Sequence, residues 1–420
     1  MEGGLGAISS IMNLGAAVML PIVMAILALF FRIKASKALK AGLLVGIGFQ
    51  GLQLVVGLLL EVISPAIAYY QGLETIGFTT VDLGWAAVGA AAWSVPFAAP
   101  AVLLIILTNI ALLALKKTKV LNVDIWNFIH LLIPGTLAYA LSGSVLAGLA
   151  VTVGLSVINL LLAERLAPQW IEYYGLEGTT CSTFSFISFA YPFGVLMNKL
   201  FDRIPGLKDV ELSLAAVAEK IGLFGDTSVV GLLVGVGLAL LTKQDWQTVL
   251  AMGVGISAVL VLLPKMAAVL VEGLATVGAG AQKFMQAKIG QDAELYIGMD
   301  ISLGLSDPTA VTTTAFLIPL AVLFAFLIPN MSYFPVGLLT SIVHMVPLLA
   351  MTSRGNVLRT LISGALLLLM VQIFANAFAP EATAMMQATA VSVEGTVTDG
   401  FFGYNIANVI ISLFSRGVLK

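Results

Sequence analysis

An all-α integral membrane protein of about eleven spanning helices, arranged as two inverted repeats of five plus one further helix, is the fold class this sequence predicts. Three observations predict it. Of 420 residues, 60% are apolar and 10% charged, with a mean hydropathy of +1.05; soluble domains carry about 25% charged residues. Many separate apolar runs reach the ~20 residues a spanning helix needs, and the alternating ten-residue strands of a β-barrel are absent. The same features also recur, in the same order, in the two halves of the chain.

Taken in order, the apolar runs place helix one at about 12–31, two at 42–63 and three at 96–115. Helices four (126–141) and five (143–163) are separated by the turn Ser142-Gly143-Ser144. Residues 164–225 form the most polar stretch, broken by an apolar piece at 184–197. Helices six (228–242) and seven (247–263) follow, then eight (310–329), nine (336–352), ten (357–379) and eleven (401–415). The predicted division is a first repeat at 1–163, a cytoplasmic or re-entrant segment at 164–225, a second repeat at 226–379, and an outside loop with helix eleven at 380–420.

Charge sets the orientation. Counting alternate sides, 19 of the 20 basic residues fall on one side and only Lys243 on the other. By the positive-inside rule that side is the cytoplasm. Eleven crossings then put the N-terminus outside and the C-terminus inside. The stretch 380–400 holds Glu381, Glu394 and Asp399 but no Lys or Arg, as an outside loop should.

The repeat rests on several matches. Gly46-Ile47-Gly48 on helix two resembles Gly253-Val254-Gly255 on helix seven. Asp82 pairs with Asp300, Pro100 with Pro319, Gly143 with Gly355, and His130 with His344. Five helices per repeat is odd, so the second copy is inverted. In Thr79–Pro100 and Gly298–Pro319 an acidic residue stands between apolar runs, followed by small residues and a proline. Backbone broken inside a membrane must line a cavity or be buried in protein, and two such breaks at matching places point to a solute site.

A net charge of −2 suggests no polyanionic or nucleic-acid partner. The single cysteine, Cys181, excludes a disulfide frame and a Cys-rich metal site. No metal or cofactor is expected. The start MEGGLGAISS lacks the basic opening of a cleavable signal.

Several strings resemble the membrane-spanning IIC subunit of the galactitol family of the bacterial phosphoenolpyruvate-dependent sugar phosphotransferase system. They are Lys40-Ala41-Gly42 with Gly46-Ile47-Gly48-Phe49, Val81-Asp82-Leu83-Gly84-Trp85, and Asn122-Val123-Asp124-Ile125-Trp126-Asn127. Leu176-Glu177-Gly178 and Arg354-Gly355-Asn356 with Arg359-Thr360-Leu361-Ile362-Ser363-Gly364 complete the match, which covers nearly the whole length. With the related ascorbate subunit, the resemblance implies a dimerising scaffold of helices one, two, six and seven. It also implies a mobile core of helices three to five and eight to eleven, with two re-entrant hairpins, moving like an elevator. The implied setting is the bacterial inner membrane, and the implied assembly is a homodimer. The implied partners are a sugar or sugar alcohol and a phosphorylated IIB subunit served by IIA, this chain having no phosphoryl-carrying residue of its own. Residues implied for the site are Asp82, His130 and Asp300, with Gln53 on the helix-two face. One departure stands out: Thr183 occupies the place where the relatives carry a histidine, and a hydroxyl can hydrogen-bond a polyol but cannot act as a base near pH 7, which leaves room for a solute other than galactitol.

The residues themselves leave some roles open. Asp82 and Asp300 fit either substrate contact, since a carboxylate accepts strong hydrogen bonds from vicinal hydroxyls, or a helix cap at a hairpin tip. His130 fits either a packed core imidazole or a site group that accepts a hydroxyl proton. Glu177 and Asp307 fit either a helix N-terminus or the substrate. Trp85 fits either stacking on the C–H face of a sugar or interfacial anchoring. His344 has only its matching position behind it, and Asn122–Asn127 reads as the entry to helix four. Arg354 and Arg359 read as ordinary inside-facing charges, with contact to the phosphoryl donor as the alternative. The expected function is import of galactitol or a similar solute coupled to its phosphorylation. The rival is a secondary transporter driven by H⁺ or Na⁺, with Asp82 and Asp300 as coupling sites.

Overall fold

Among apolar side chains the backbone must satisfy its own hydrogen bonds, and the apolar runs accordingly fold as helices. The structure, a computed structural model, describes residues 16–72, 78–122, 124–208, 212, 227–289, 294–389, 391 and 393–418. The first half runs α1 (Ala16–Phe30), α2 (Ala35–Gln71), β1 (Thr80–Asp82), α3 (Gly84–Trp93), α4 (Ala98–Ala114) and β2 (Val120–Asn122). It continues with α5 (Ile125–Ser142), α6 (Val145–Tyr174), β3 (Thr179–Cys181), a π-helical turn at Phe186–Ala190 and α7 (Tyr191–Phe201). The second half runs α8 (Thr227–Leu241), α9 (Trp246–Ile289), β4 (Tyr296–Met299), a 3-10 turn at Ile301–Ser306 and α10 (Pro308–Leu327). Then come α11 (Val336–Ser341), a 3-10 turn at Ile342–Met345, α12 (Pro347–Thr352), α13 (Val357–Ala377), α14 (Ala379–Gln387), β5 (Thr396–Thr398) and α15 (Ile406–Val418).

Among the described residues, α2, α6, α10 and α13 are each long and apolar enough to cross a membrane. The pair α3–α4, bent by 84° at its break, makes a fifth when taken as one broken span. The two longest helices, α2 and α9, have 37 and 44 residues, or about 55 and 66 Å at ~1.5 Å per residue. They pack on each other through glycines. A Cβ on Gly48 would lie 2.4 Å from the Leu270 nitrogen, and one on Gly273 would lie 2.7 Å from the Ala41 carbonyl. This is the close helix approach that small residues permit.

Two small parallel sheets join the halves. In one, β4 lies between β2 and β3. In the other, β1 pairs with β5, and Thr80 bridges to Tyr333. Each central strand is thus flanked by segments of the opposite half.

Beside these sheets the chain makes two excursions that return to the end they left. After α6, β3 runs back along that helix: Trp170 Nε1 donates to Thr179 Oγ1 at 3.1 Å, Thr180 Oγ1 to the Ala163 carbonyl at 2.7 Å, and Asn159 Nδ2 to the Ser182 carbonyl at 2.8 Å. α7 then leads outward to Asp202, held at 2.8 Å by Arg359 at the start of α13. After α14, Thr398 Oγ1 returns to the Ala375 carbonyl at 2.8 Å. The chain turns at Asn405, and α15 brings Arg416 back to Glu381 at 2.6 Å and to the Ala377 carbonyl at 2.6 Å.

That last pair corrects the topology drawn from charge. Arg416 and Glu381 share one end of the molecule, where the count puts them on opposite sides, so α15 does not cross as helix eleven was expected to. The stretch 380–400 is not an open loop, since it contains α14 and β5. Helix nine is broken into α11, a 3-10 turn and α12, with Pro347 opening the last piece. Helix five extends to Tyr174 and helix seven to Ile289, because charged residues on a helix face do not end it. The all-α class needs five short strands added. The start of helix one, most of 209–226 and Lys420 lie outside the described residues.

Candidate functional site

Asp300 follows β4 and caps the 3-10 turn after it. Its Oδ1 accepts from the Ser302 N–H at 2.8 Å and from the Ser302 hydroxyl. Its Oδ2 lies 3.1 Å from the Thr183 hydroxyl, which itself accepts the Ile301 N–H at 2.9 Å. A polar chain backs this arrangement. Asn127 Oδ1 is 2.8 Å from the Thr183 hydroxyl, and Asn127 Nδ2 donates to Ser182 Oγ at 2.7 Å and to Asn122 Oδ1 at 3.1 Å. The Asn122–Asn127 stretch is therefore more than a helix entry: it holds the residues that hold Asp300.

Asp300 opens on a cavity of about 190 Å³. Drug-sized ligands occupy sites of ~300–1,000 Å³, so this one suits a compact solute. α2 contributes Phe49 and Gln53, α3 Trp85, and α5 Trp126 and His130. Ser302 flanks Asp300, while Ser341 and His344 face it from the broken helix, and Phe186 and Phe401 close the apolar side.

The His130 imidazole is clamped between rings. Trp85 stacks on it at 5.3 Å and 28°, and Phe186 meets it edge-on at 5.5 Å and 63°. Its Nδ1 lies 2.8 Å from Ser185 Oγ, and its carbonyl accepts from Asn405 Nδ2 at 2.9 Å. When Nδ1–H donates to Ser185, Nε2 is a free base; when Ser185 donates, Nε2–H is a donor. The indole N–H groups of Trp85 and Trp126 have no partner among the described residues.

Of the residues expected at the site, Gln53, Trp85, His130 and Asp300 meet in this cavity. Thr183 stands behind Asp300 and does not line it. The other three lie elsewhere. Asp82 is buried, and its carboxylate accepts four backbone N–H groups: Gly84 (3.1 Å), Gly400 (2.8 Å), Gly337 (2.9 Å) and Leu338 (3.2 Å). It is a cap, the alternative that its sequence context left open. Asp307 caps α10 through the Thr309 N–H at 2.8 Å and accepts the Tyr173 hydroxyl at 2.5 Å. Glu177 is exposed in the turn before β3. Arg359 is occupied as a pin, bonded to Asp202 and to the Leu207 carbonyl.

His344 was signalled only by its match to His130, and it faces the same cavity. Ser302, Ser341, Trp126, Phe186 and Phe401 were not foreseen, since serines and aromatics in apolar runs read as ordinary packing. Among the described residues no group of three His, Cys, Asp or Glu side chains is placed to hold a metal ion.

A sequence profile of the family described as the PTS system sugar-specific permease component matches residues 10–396. The chain belongs to this family. It is accordingly a multi-pass membrane permease component. The PTS galactitol-specific EIIC component of Escherichia coli (strain K12) is 33% identical to it over 360 residues, covering 85% of this chain and 79% of that protein. The same component of Escherichia coli O157:H7 matches equally. A permease IIC component of Escherichia coli (strain K12) is 29% identical over 416 residues, covering 97% and 94%.

Proposed function

We propose that this permease component imports galactitol or a similar sugar alcohol, and that a separate IIB subunit, charged by IIA, phosphorylates the solute as it is delivered inside. The observation that carries the reading is the meeting of Asp300, His130, His344 and Gln53 in one small cavity lined by aromatic rings. A polyol offers hydroxyls on every carbon and a C–H surface between them. The carboxylate accepts from a vicinal pair of hydroxyls, and charged acceptors bind more strongly than neutral ones. Gln53 and the imidazoles bond the rest, and Trp85 covers the C–H surface.

Phosphoryl transfer depends mainly on positioning and charge stabilisation. The donor belongs to the partner, so this chain supplies the acceptor. His130, with Nδ1–H on Ser185, takes the proton of the attacking hydroxyl at Nε2 while the phosphoryl group passes to the oxygen. The cavity has Phe49 and Gln53 of α2 on one wall and residues of α3, α5 and the second half on the others. That division suits a scaffold of α1, α2, α8 and α9 against which the rest moves as an elevator core, in a dimer built on inverted repeats.

A binding screen of the purified chain across hexitols, pentitols and ascorbate tests the reading; binding of none of them would sink it. His130→Gln is expected to leave binding within a few-fold and to slow phosphorylation by ~10²-fold or more. Equal loss of both would remove His130 from the proton step. Uptake driven by a proton gradient, with neither phosphoenolpyruvate nor partner subunits, would favour an ion-coupled carrier instead.

A further inference from the structure

Beside Asp300 stands a second carboxylate that the reading above does not use. β2 and β4 are parallel, with Asn122 opposite Gly298. Asp124 comes just after β2 and Asp300 just after β4, and the two carboxyl groups lie close enough to feel each other's charge. Both are buried, at 2% and 7% exposure. Their surroundings differ. Both oxygens of Asp300 have partners. Asp124 Oδ1 accepts the Trp126 N–H at 3.0 Å, capping α5, and the Asp300 N–H also lies against this carboxyl group, while Oδ2 makes no hydrogen bond of normal geometry among the described residues.

Among the described residues no Lys or Arg pairs with either group. The other titratable side chains facing them are His130 and His344 across the cavity and Cys181 on β3, the strand on the far side of β4. An ionised carboxylate with a bare buried oxygen is costly, and two ionised carboxylates side by side repel each other. One proton on the pair removes both penalties, and the bare oxygen is the place for it.

We infer that Asp124 holds a proton beside an ionised Asp300 and acts as a positioning residue, giving the pair the single negative charge with which Asp300 receives the solute. The inference rests on the reading of Asp300 as the substrate-binding carboxylate. Its consequence is directional. Solute binding favours the protonated Asp124, so affinity falls when alkaline pH removes that proton, and binding on the alkaline side takes a proton up.

The test is calorimetry of galactitol binding to the full-length purified chain from neutral to alkaline pH, in two buffers of different ionisation enthalpy. The wild type is expected to lose affinity on the order of tenfold across the alkaline limb, from like-charge repulsion in the pair, with proton uptake there. Asp124→Asn, neutral at every pH, is expected to lack both the limb and the uptake. An unchanged limb in Asp124→Asn overturns the inference. So does wild-type binding without proton uptake, which decides the matter even if the variant does not fold. Alkaline affinity restored by sodium also overturns it, because a cation and not a proton would then sit beside Oδ2. Asp300→Asn separates the two levels. If it binds galactitol like the wild type, the underlying reading fails. If it loses affinity at every pH while Asp124→Asn keeps the limb, only the inference fails.

Discussion

Asp82 and Asp300 each stand at the end of a strand flanked by segments of the opposite half, yet their carboxylates are met in different ways. Asp82 receives four backbone N–H groups, three of them from the second half of the chain, and among the described residues no side chain donates to it. Asp300 receives one backbone N–H and two hydroxyls, and it opens on the cavity. The difference lies in the flanking segments. Around Asp82 they turn their backbone inward at Gly337 and Gly400, where a Cβ would come within 2.8 Å and 2.7 Å of the carboxylate oxygens. Around Asp300 they offer Thr183 and the Asn127 network. Backbone saturates Asp82, whereas side chains support Asp300 from one flank and leave it open to the cavity, as the proposed binding role requires.

This contrast can be broken most severely at Asp82. Asp82→Ala leaves four buried N–H groups without an acceptor, each worth about 1–3 kcal/mol. Loss of the folded protein in detergent is expected, read as yield of monodisperse material. Gly337→Ala should damage the same seat, because its Cβ would lie 2.3 Å from the Gly84 Cα. A lowered melting temperature is the readout, and an unchanged one would argue against the cap.

Asp300→Asn comes next. Replacing a charged acceptor removes about 1.5–3 kcal/mol, or roughly ten- to a hundredfold in affinity, with the fold retained because Asn still caps Ser302. Titration of galactitol in parallel with a thermal melt separates the two effects. The smallest change is expected far from both seats. Lys119 Nζ lies 2.9 Å from Glu294, and this hydrogen bond holds the Glu294 carboxyl below its ordinary range. The pair's stabilisation is present above the ordinary glutamate range and fades as pH falls through the lowered value. Both groups are about half exposed, so Glu294→Gln should cost under about 0.5 kcal/mol, and a melt shift of many degrees would contradict that.

Much of the helical frame was legible. The predicted fourth, sixth, eighth and tenth helices agree within about two residues with α5, α8, α10 and α13, because apolar runs bounded by turn residues have one way to satisfy their backbone. The convergence of Gln53, Trp85, His130 and Asp300 in one cavity was also legible, through what the family resemblance implied rather than through composition. The role of Asp82 was not legible. An acidic residue before Leu83-Gly84 reads alike whether it caps or binds, and its deciding partners lie about 255 and 318 positions away. Contacts of that range leave no local pattern. The same holds for α15, where only the pairing of Arg416 with Glu381 reveals that the last helix turns back.

The most direct test sets Asp300→Asn beside Asp82→Asn in one galactitol titration of folded, full-length protein. Asp82→Asn is expected to bind close to wild type while melting lower, and Asp300→Asn to lose at least about tenfold in affinity while melting normally. Loss of affinity at Asp82 with none at Asp300 would contradict this.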